Sequence, residues 1–329
     1  RRQRQMCIRD RYITNPFVWL LLPLSWLYCV VVSVRRKLYQ LNILKSYDHE
    51  IPVVVIGNIV VGGSGKTPLL IALCEYLQAR NIRVGVVSRG YGGLATGINQ
   101  ISEADDAERV GDEPLMIYRQ TGVPVVIGRD RSAAIDYLLA NNEIDIILSD
   151  DGLQHYRMCR QYEIAVIDSS RGFGNGFCLP AGPLRERKSR LKDVDLVVYN
   201  DTDGSVSGSC SYTLQLNKCK NITDGNVREL SEFTGKTLHA VAGIGNPGRF
   251  FDNLRDCKLT IIEHPFADHH MYRMSDFSGW NDECILMTEK DAVKCQQLPL
   301  SDAWSVGVTV TLSAELESRL SQDLASLLR

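Results

Sequence analysis

Residues 52–68, PVVVIGNIVVGGSGKTP, join a continuous apolar run to a glycine-rich loop that ends in Gly-Lys-Thr. The run 53–56 predicts a buried strand, and residues 69–78, after the loop, predict a helix. A strand that enters a helix through such a loop is typical of a phosphate-binding loop, in which backbone N–H groups and the helix N-terminus face one anion. The stretch therefore predicts that the chain binds a nucleoside triphosphate.

Each residue type in the loop has its own part in this prediction. The glycines let successive N–H groups converge, Lys66 adds a point charge, and the Thr67 hydroxyl suits Mg²⁺. The predicted nucleotide-binding residues are Gly62, Gly63, Ser64, Gly65, Lys66 and Thr67. The usual loop pattern has glycine where this chain has Val60, so a glycine-rich turn without a ligand stays open as an alternative.

Short β-branched runs alternate with helical stretches from residue 52 onward, which predicts an α/β fold whose parallel sheet is covered on both faces. The predicted strands are 53–56, 83–87, 123–127, 144–148, 163–167, 194–199, 238–242, 259–263, 284–287 and 306–312. Ligands of such sheets bind at the carboxyl ends of the strands, where the candidate motifs fall. We predict a P-loop NTPase-like parallel sheet core, a second, smaller α/β domain, an N-terminal hydrophobic membrane helix and a closing helix at 316–328.

The length of 329 residues favours two domains, because single domains cluster at about 100–150 residues. We place a membrane-associating segment at 1–46, the P-loop kinase core at 47–190 and the smaller domain at 191–329. A polar loop, 201–211, follows this boundary.

The N-terminus has two unlike parts. Residues 1–11, RRQRQMCIRDR, resemble read-through of a sequencing adapter, and we leave them out of the fold prediction. Residues 16–34 carry no charge and are apolar on nearly every face of a helix, which suits lipid. Trp19 and Trp26 suit the headgroup level, and the basic residues 35–37 suit an anionic leaflet. We predict membrane association, whether the helix spans or lies flat; a cleaved signal peptide and a helix docked on the protein's own core are the alternatives.

Composition argues against two classes of site. A net charge of −2 does not suit a general nucleic-acid binder, which needs a basic surface. The ten cysteines include no C-x-x-C pair and no cysteine-histidine spacing typical of zinc. We expect reduced thiols in a cytoplasmic protein and no obligate protein partner.

Candidate metal ligands follow one of the predicted strands. The apolar run 146–148 leads into Asp150 and Asp151, the form of a Walker B segment whose carboxylate holds Mg²⁺ beside the phosphates. Adjacent strand residues face opposite ways, so at most one of the pair is expected to contact the metal directly. A helix cap or a solvated turn is the alternative. Glu186, in LPAGPLRE, is a further candidate ligand.

Asp112, in the motif GDEP, is a candidate general base for an alcohol that attacks the γ-phosphate. Taken alone, the motif is better explained by the ordinary preference for acids at a helix N-terminus. His269, in ADHH, would orient or tune the Asp112 carboxylate if the two domains close on one cleft. Arg89 and Lys290 also follow strand ends, where phosphate or nucleotide binding competes with a plain turn or cap.

Together these motifs resemble the tetraacyldisaccharide 4'-kinases, the lipid A 4'-kinases of Gram-negative bacteria, from about residue 20 to the C-terminus. The motifs are LLLPLSWLY (20–28), GNIVVGGSGKTP (57–68), VGVVSRGYGG (84–93), GDEP (111–114), DDGLQHYR (150–157), LPAGPLRE (179–186), ADHH (267–270) and MTEKDAVK (287–294). The missing first loop glycine is also typical of that family.

The resemblance implies a kinase that uses ATP and Mg²⁺ on the cytoplasmic face of the bacterial inner membrane. Its acceptor would be the 4'-hydroxyl of a tetraacylated glucosamine disaccharide 1-phosphate lipid, and its product lipid IVA in lipid A biosynthesis. The residues that the resemblance assigns are Asp112 and His269 as a catalytic dyad, Asp150, Asp151 and Glu186 at the metal, and Lys66 and Thr67 in the loop.

Two other classes of protein stay open. A membrane-bound switch ATPase shares the Gly-Gly-x-Gly-Lys-Thr loop, but that group has a signature lysine where this chain has Val61 and usually attaches to membranes by a C-terminal helix. A soluble P-loop enzyme, such as a cofactor ligase, leaves the apolar segment 16–34 unexplained.

Overall fold

The computed structural model describes residues 16–201 and 209–328. The adapter-like segment 1–11 and most of the polar loop 201–211 therefore lie outside the described residues. The strands are β1 (Val53–Gly57), β2 (Val84–Ser88), β3 (Asn99–Gln100), β4 (Val125–Ile127), β5 (Ile146–Asp150), β6 (Tyr162–Asp168), β7 (Leu196–Asn200), β8 (Ser211–Asn221), β9 (Val227–Arg228), β10 (Thr237–Ala242), β11 (Thr260–Pro265), β12 (Ile285–Thr288) and β13 (Ala303–Leu312). The α-helices are α1 (Pro16–Gln40), α2 (Lys66–Gln78), α3 (Ala107–Val110), α4 (Asp112–Thr121), α5 (Arg131–Asn141), α6 (Pro247–Asp256), α7 (Glu289–Cys295) and α8 (Ala314–Leu327).

These strands form one mostly parallel sheet in the order β11-β10-β12-β13-β8-β7-β6-β1-β5-β2-β4-β3, with β9 against β8. β1 lies between β5 and β6 and is buried along its whole length, as its unbroken valine and isoleucine run predicts. The parallel register brings the carboxyl ends of β1, β5 and β2 to one edge of the sheet. The loop after β1 and the acidic pair after β5 are therefore neighbours.

The sheet crosses the predicted domain boundary at residue 190 without a break. β7, on the C-terminal side of that boundary, pairs with β6 over five residues, whereas it pairs with β8 through only Tyr199 and Asn200. β8 then runs antiparallel to β13. The division of the chain into 47–190 and 191–329 stays a prediction.

The hydrophobic core also continues across the junction. Leu69 and Leu73 of α2 are buried in the same apolar cluster as Leu316, Leu320 and Leu324 of α8. The C-terminal helix therefore packs against the half of the molecule that holds the phosphate-binding loop.

α1 contacts the rest of the protein through one narrow stripe. Val18, Leu22, Ser25 and Cys29, spaced three or four residues apart, are buried, and Ser25 donates a hydrogen bond to the Cys178 carbonyl. The large side chains between them point outward, since Trp19 is 66 % and Trp26 61 % exposed. Length and composition would let this helix cross a membrane. The alternative that α1 only docks on the protein's own core explains the buried stripe, but it does not explain the exposed apolar faces.

Candidate active site

The loop between β1 and α2 takes the backbone form that its glycines permit. Gly62 and Gly65 have positive φ angles of 103° and 85°. The Tyr212 hydroxyl donates to the Gly65 carbonyl over 2.7 Å, and the Asn200 amide donates to the Ser64 carbonyl over 3.1 Å. A β-carbon at residue 65 would collide with both side chains, so this glycine is required for packing as well as for its φ angle.

A cleft of about 1040 Å³ opens above this loop, between the two halves of the molecule. Gly62, Gly63, Ser64, Gly65, Lys66 and Thr67 all line it, as do Ser88, Arg89, Asp150, Asp151, His269 and Lys290. The volume is at the upper end of the range for small-molecule sites. The structure therefore brings the predicted loop, one predicted acidic pair and the predicted histidine to the same space.

Lys66 and Asp151 face each other in the cleft. The Lys66 Nζ lies 3.4 Å from Asp151 Oδ1, and Arg185 approaches Asp151 Oδ2 to 2.8 Å. Loss of water around Asp151 opposes its ionisation, but the two cations outweigh that effect and hold its pKa well below the usual range. Asp151 stays charged and holds the loop lysine in place.

Asp150 is the better placed of the two acids to hold a cation. Its side chain is buried, Ser88 donates to Oδ2 over 3.2 Å, and Oδ1 has no hydrogen-bond partner among the described residues. Burial, and next the charges of Glu113 and Asp151, raise the pKa of Asp150 to about 7. A cation beside Oδ1 would offset both effects. With the Thr67 hydroxyl in the same cleft, the donor set fits Mg²⁺, which uses one or two carboxylates together with phosphate oxygens and water.

Glu186 does not line the cleft that holds this acidic pair. Gln154 donates to its Oε1 over 2.9 Å, Tyr156 donates to its Oε2 over 2.5 Å, and the Arg190 Nε lies 3.7 Å away. No cluster of three or more acidic, histidine or cysteine side chains suited to a metal occurs within residues 16–201 and 209–328. A role of Glu186 at the metal stays a prediction.

The predicted dyad is assembled from the two halves of the molecule. His269 Nδ1 lies 3.0 Å from each carboxylate oxygen of Asp112, which is the first residue of α4. Burial opposes the charged forms of both groups. Their hydrogen bond, together with the nearby charges, nevertheless lowers the pKa of Asp112 and raises that of His269. His269 lines the cleft, whereas Asp112 is only 4 % exposed behind it.

Two lysines of α7 extend this dyad; the sequence prediction named Lys290, as a nucleotide contact or a helix cap, and missed Lys294. Lys294 Nζ lies 3.7 Å from Asp112 Oδ2 and 2.7 Å from Asp291 Oδ1, and both Lys294 and Asp291 have almost no exposed surface. Lys290 pairs with Glu113 at 2.8 Å and Asp268 at 3.2 Å. Lys290 and Lys294 are four residues apart and so share one face of the helix, and that spacing was the available signal.

Comparison with known proteins decides the family. A family model described as tetraacyldisaccharide-1-P 4'-kinase matches residues 17–325. The chain belongs to this family. A tetraacyldisaccharide 4'-kinase of Hahella chejuensis is 44 % identical over 317 residues, covering 94 % of this chain and 93 % of the relative. One of Nitrosococcus oceani is 44 % identical over 316 residues, covering 96 % and 93 %. The crystal structure of LpxK from Aquifex aeolicus in complex with ATP aligns with a TM-score of 0.81 at 27 % identity, over 95 % of this chain and all of that one.

Membership of the kinase family confirms several predictions. The fold class, the enzyme class and the kinase function agree with the family and with the aligned structure. ATP use is confirmed at the level of the family. The roles of individual residues, Mg²⁺, and the membrane face stay predictions.

Proposed function

We propose that the chain transfers the γ-phosphate of ATP to the 4'-hydroxyl of a tetraacylated disaccharide 1-phosphate lipid at the cytoplasmic face of the inner membrane. The observation that carries this proposal is the Asp112–His269 pair, joined at 3.0 Å and facing the cleft that the phosphate-binding loop lines. A carboxylate–imidazole pair of this kind can accept the proton that an alcohol loses when it attacks a triphosphate.

Residues 62–67 bind the triphosphate in this proposal. The N-terminus of α2, at Lys66 and Thr67, lies at the cleft, where its backbone N–H groups suit a phosphate. The Lys66 ammonium group moves from Asp151 to the phosphates when they bind. Asp150 and the Thr67 hydroxyl are the proposed Mg²⁺ ligands, with Asp151 orienting Lys66. Bound Mg²⁺ neutralises charge that develops on the phosphate oxygens. Arg185 keeps Asp151 ionised after Lys66 has turned away.

The dyad removes the proton from the sugar hydroxyl as a unit. His269 Nε2 is the ring nitrogen that Asp112 leaves free, because Nδ1 is held by the carboxylate. We propose that the proton passes to His269 and that Asp112 stabilises the resulting imidazolium. The sequence prediction placed the proton on Asp112 itself. The low pKa of Asp112 and its burial favour the histidine as the acceptor, since a base works best with a pKa near the working pH.

The membrane side of the proposal rests on α1. Four acyl chains hold the acceptor lipid in a bilayer, so the enzyme must bring its cleft to that surface. The exposed tryptophans of α1 and the basic residues 35–37 at its end suit an interface with an anionic leaflet.

Incubation of the purified enzyme with labelled ATP and the disaccharide 1-phosphate in detergent tests this function. A 4'-phosphorylated lipid is expected, and Lys66→Ala and Asp112→Ala should each lower its rate of formation by at least about a hundredfold without loss of fold. Lys45→Ala, on an exposed side chain after α1, is the control. ATP hydrolysis with no labelled lipid would contradict the proposed transfer to the 4'-hydroxyl.

A further inference from the structure

A second cavity, of about 170 Å³, lies outside the nucleotide cleft, between α1 and the segment that follows Cys178. α1 contributes one helical face to it, and the opposite wall comes from residues 185–190. The lining residues are Cys29, Val32, Ser33, Arg36, Lys37, Gln40, Cys178, Arg185, Glu186, Arg187, Ser189 and Arg190. Five of these side chains are cations and one is an acid.

Most of the charges are already paired, and two are not. Arg36 pairs with Asp193 at 2.8 Å, Arg185 with Asp151, and Arg190 with Glu163 at 2.6 Å. Lys37 and Arg187 make no ion pair with any residue of 16–201 or 209–328. Lys37 and Arg187 therefore leave an excess of positive charge in the cavity. Glu186 offsets part of it, because its hydrogen bonds come from the neutral groups of Gln154 and Tyr156 and its nearest cation, Arg190, lies 3.7 Å away.

The inner wall offers donors as well as charge. Arg190 is 3 % exposed, and its NH1 group is buried without a hydrogen-bond partner in the described chain. This NH1 group has almost no exposed surface, so a ligand in the cavity would accept from it only after the Arg190 side chain shifts. Such a bond would offset the cost of a buried unpaired donor. Ser33 and Ser189 add hydroxyls on opposite walls. The acid, Glu186, is occupied by donors from Gln154 and Tyr156.

We propose that this cavity binds the phosphate of a lipid headgroup. Arginine and lysine side chains with hydroxyl donors are the groups that recognise phosphate oxygens. The cavity lies against the end of α1, which the proposed function places at the membrane surface, so the inference rests on that function. Arg185 lines both this cavity and the nucleotide cleft, so the two spaces are adjacent.

Two lipids carry a phosphate of this kind to the site. One is the acceptor disaccharide, through its 1-phosphate, which would fix the end of the sugar opposite to the reacting hydroxyl. The other is an anionic phospholipid, which would bind α1 and residues 185–190 together at the membrane surface. The residues and the chemistry are the same in both cases.

The test compares a double variant with a matched control. Lys37→Ala with Arg187→Ala removes the two unpaired charges of the cavity. Lys45→Ala with Lys188→Ala removes the same charge from exposed neighbours that do not line it. Thermal unfolding of the Lys37→Ala, Arg187→Ala variant should match that of the parent, because both side chains are exposed. The unfolding midpoint of the control should be equal or slightly lower, because Lys188 is exposed but lies over the Phe173 ring at 4.5 Å.

Two measurements show which of the two lipids supplies the bound phosphate. If the cavity holds the acceptor's 1-phosphate, the double variant has a KM for the disaccharide 1-phosphate about tenfold higher than the control, with the same kcat. With an acceptor that lacks the 1-phosphate, the double variant and the control should have the same KM. If it holds a phospholipid, KM in detergent is equal, but the variant loses about tenfold in binding to phosphatidylcholine vesicles that contain phosphatidylglycerol. A double variant that equals its control in both assays overturns the proposal. The vesicle assay needs no phosphate transfer, so it stays informative if the proposed kinase reaction itself is not observed.

Discussion

One hydrogen bond, between Asp112 and His269, predicts how the rate of phosphate transfer depends on pH. The pKa of His269 is raised above its usual value of 6.5, so the free imidazole that accepts a proton becomes the major form at a pH above 6.5. We expect kcat to rise with pH through a midpoint above 6.5, measured with both substrates saturating. His269→Gln should lower kcat by about a hundredfold and remove the rise. A rise that persists in this variant would place the proton on another group.

Replacing Lys294 by methionine should lower both the stability and the activity of the enzyme. Its ammonium group is buried between Asp112 and Asp291, so Lys294→Met leaves two buried carboxylates without that cation. Breaking one partner of a buried pair costs about 3–5 kcal/mol, and we expect the free energy of unfolding in urea to fall by that amount. kcat should fall as well, because the pKa of Asp112 rises when a neighbouring positive charge is lost.

The second lysine on the same face of α7 supplies the control for this measurement. Lys290→Met removes contacts with Glu113 at 2.8 Å and Asp268 at 3.2 Å, and a longer one with Asp112 at 3.9 Å. Lys290 is 14 % exposed, and Glu113 and Asp268 are 30 % and 35 % exposed, so water should screen these pairs and the loss of stability should be smaller than for Lys294→Met. Equal stability losses in the two variants would show that burial of Lys294 does not set the strength of its contacts.

At the scale of elements, one face of α1 packs on the protein, and we propose that its other, exposed faces contact lipid. Replacing Trp19, Trp26 and Leu27 together by glutamine should move the enzyme from the membrane to the soluble fraction, because these side chains are exposed. The free energy of unfolding should stay the same. Leu22→Ala, on the buried stripe, should do the opposite, costing about 2 kcal/mol of stability with membrane binding retained. If the triple variant stays with membranes, a second lipid-binding surface exists.

The elements that could be predicted from sequence are those with a continuous local pattern. The buried parallel strands, such as β1 and β5, have unbroken apolar runs and were placed within a few residues. β8 (Ser211–Asn221) was missed because its apolar residues Tyr212, Leu214 and Leu216 alternate with polar ones, the weaker pattern of an antiparallel strand that is buried on one side.

The same distinction holds within the active site. The loop and the acidic pair each come from one short stretch, and both were predicted. Tyr212 contacts Gly65, and Lys294 contacts Asp112, although these residues are far apart in the chain. A pattern within a short stretch of sequence does not predict such contacts. The Asp112–His269 pair was predicted through the resemblance to the kinase family, because the GDEP motif taken alone is better explained by acids at a helix N-terminus.

At the scale of the whole molecule, the shared core predicts that both halves unfold together. Only two residues of β7 pair with β8, which alone would favour separate unfolding of the two halves. Leu316, Leu320 and Leu324 of α8 nevertheless complete the apolar cluster around α2, and Lys294 joins α7 to α4 through Asp112. We therefore expect one calorimetric transition whose van't Hoff and calorimetric enthalpies agree.

Leu320→Ala, at the centre of α8, tests this coupling directly. Its side chain is 1 % exposed, so the substitution should cost about 2–5 kcal/mol and lower the midpoint of the single transition as a whole. Leu254→Ala is the matched substitution inside the separate apolar cluster of the second half, and it should lower the same single transition. Two transitions, of which each variant shifts a different one, would show that the halves are independent and would support a domain boundary near residue 190.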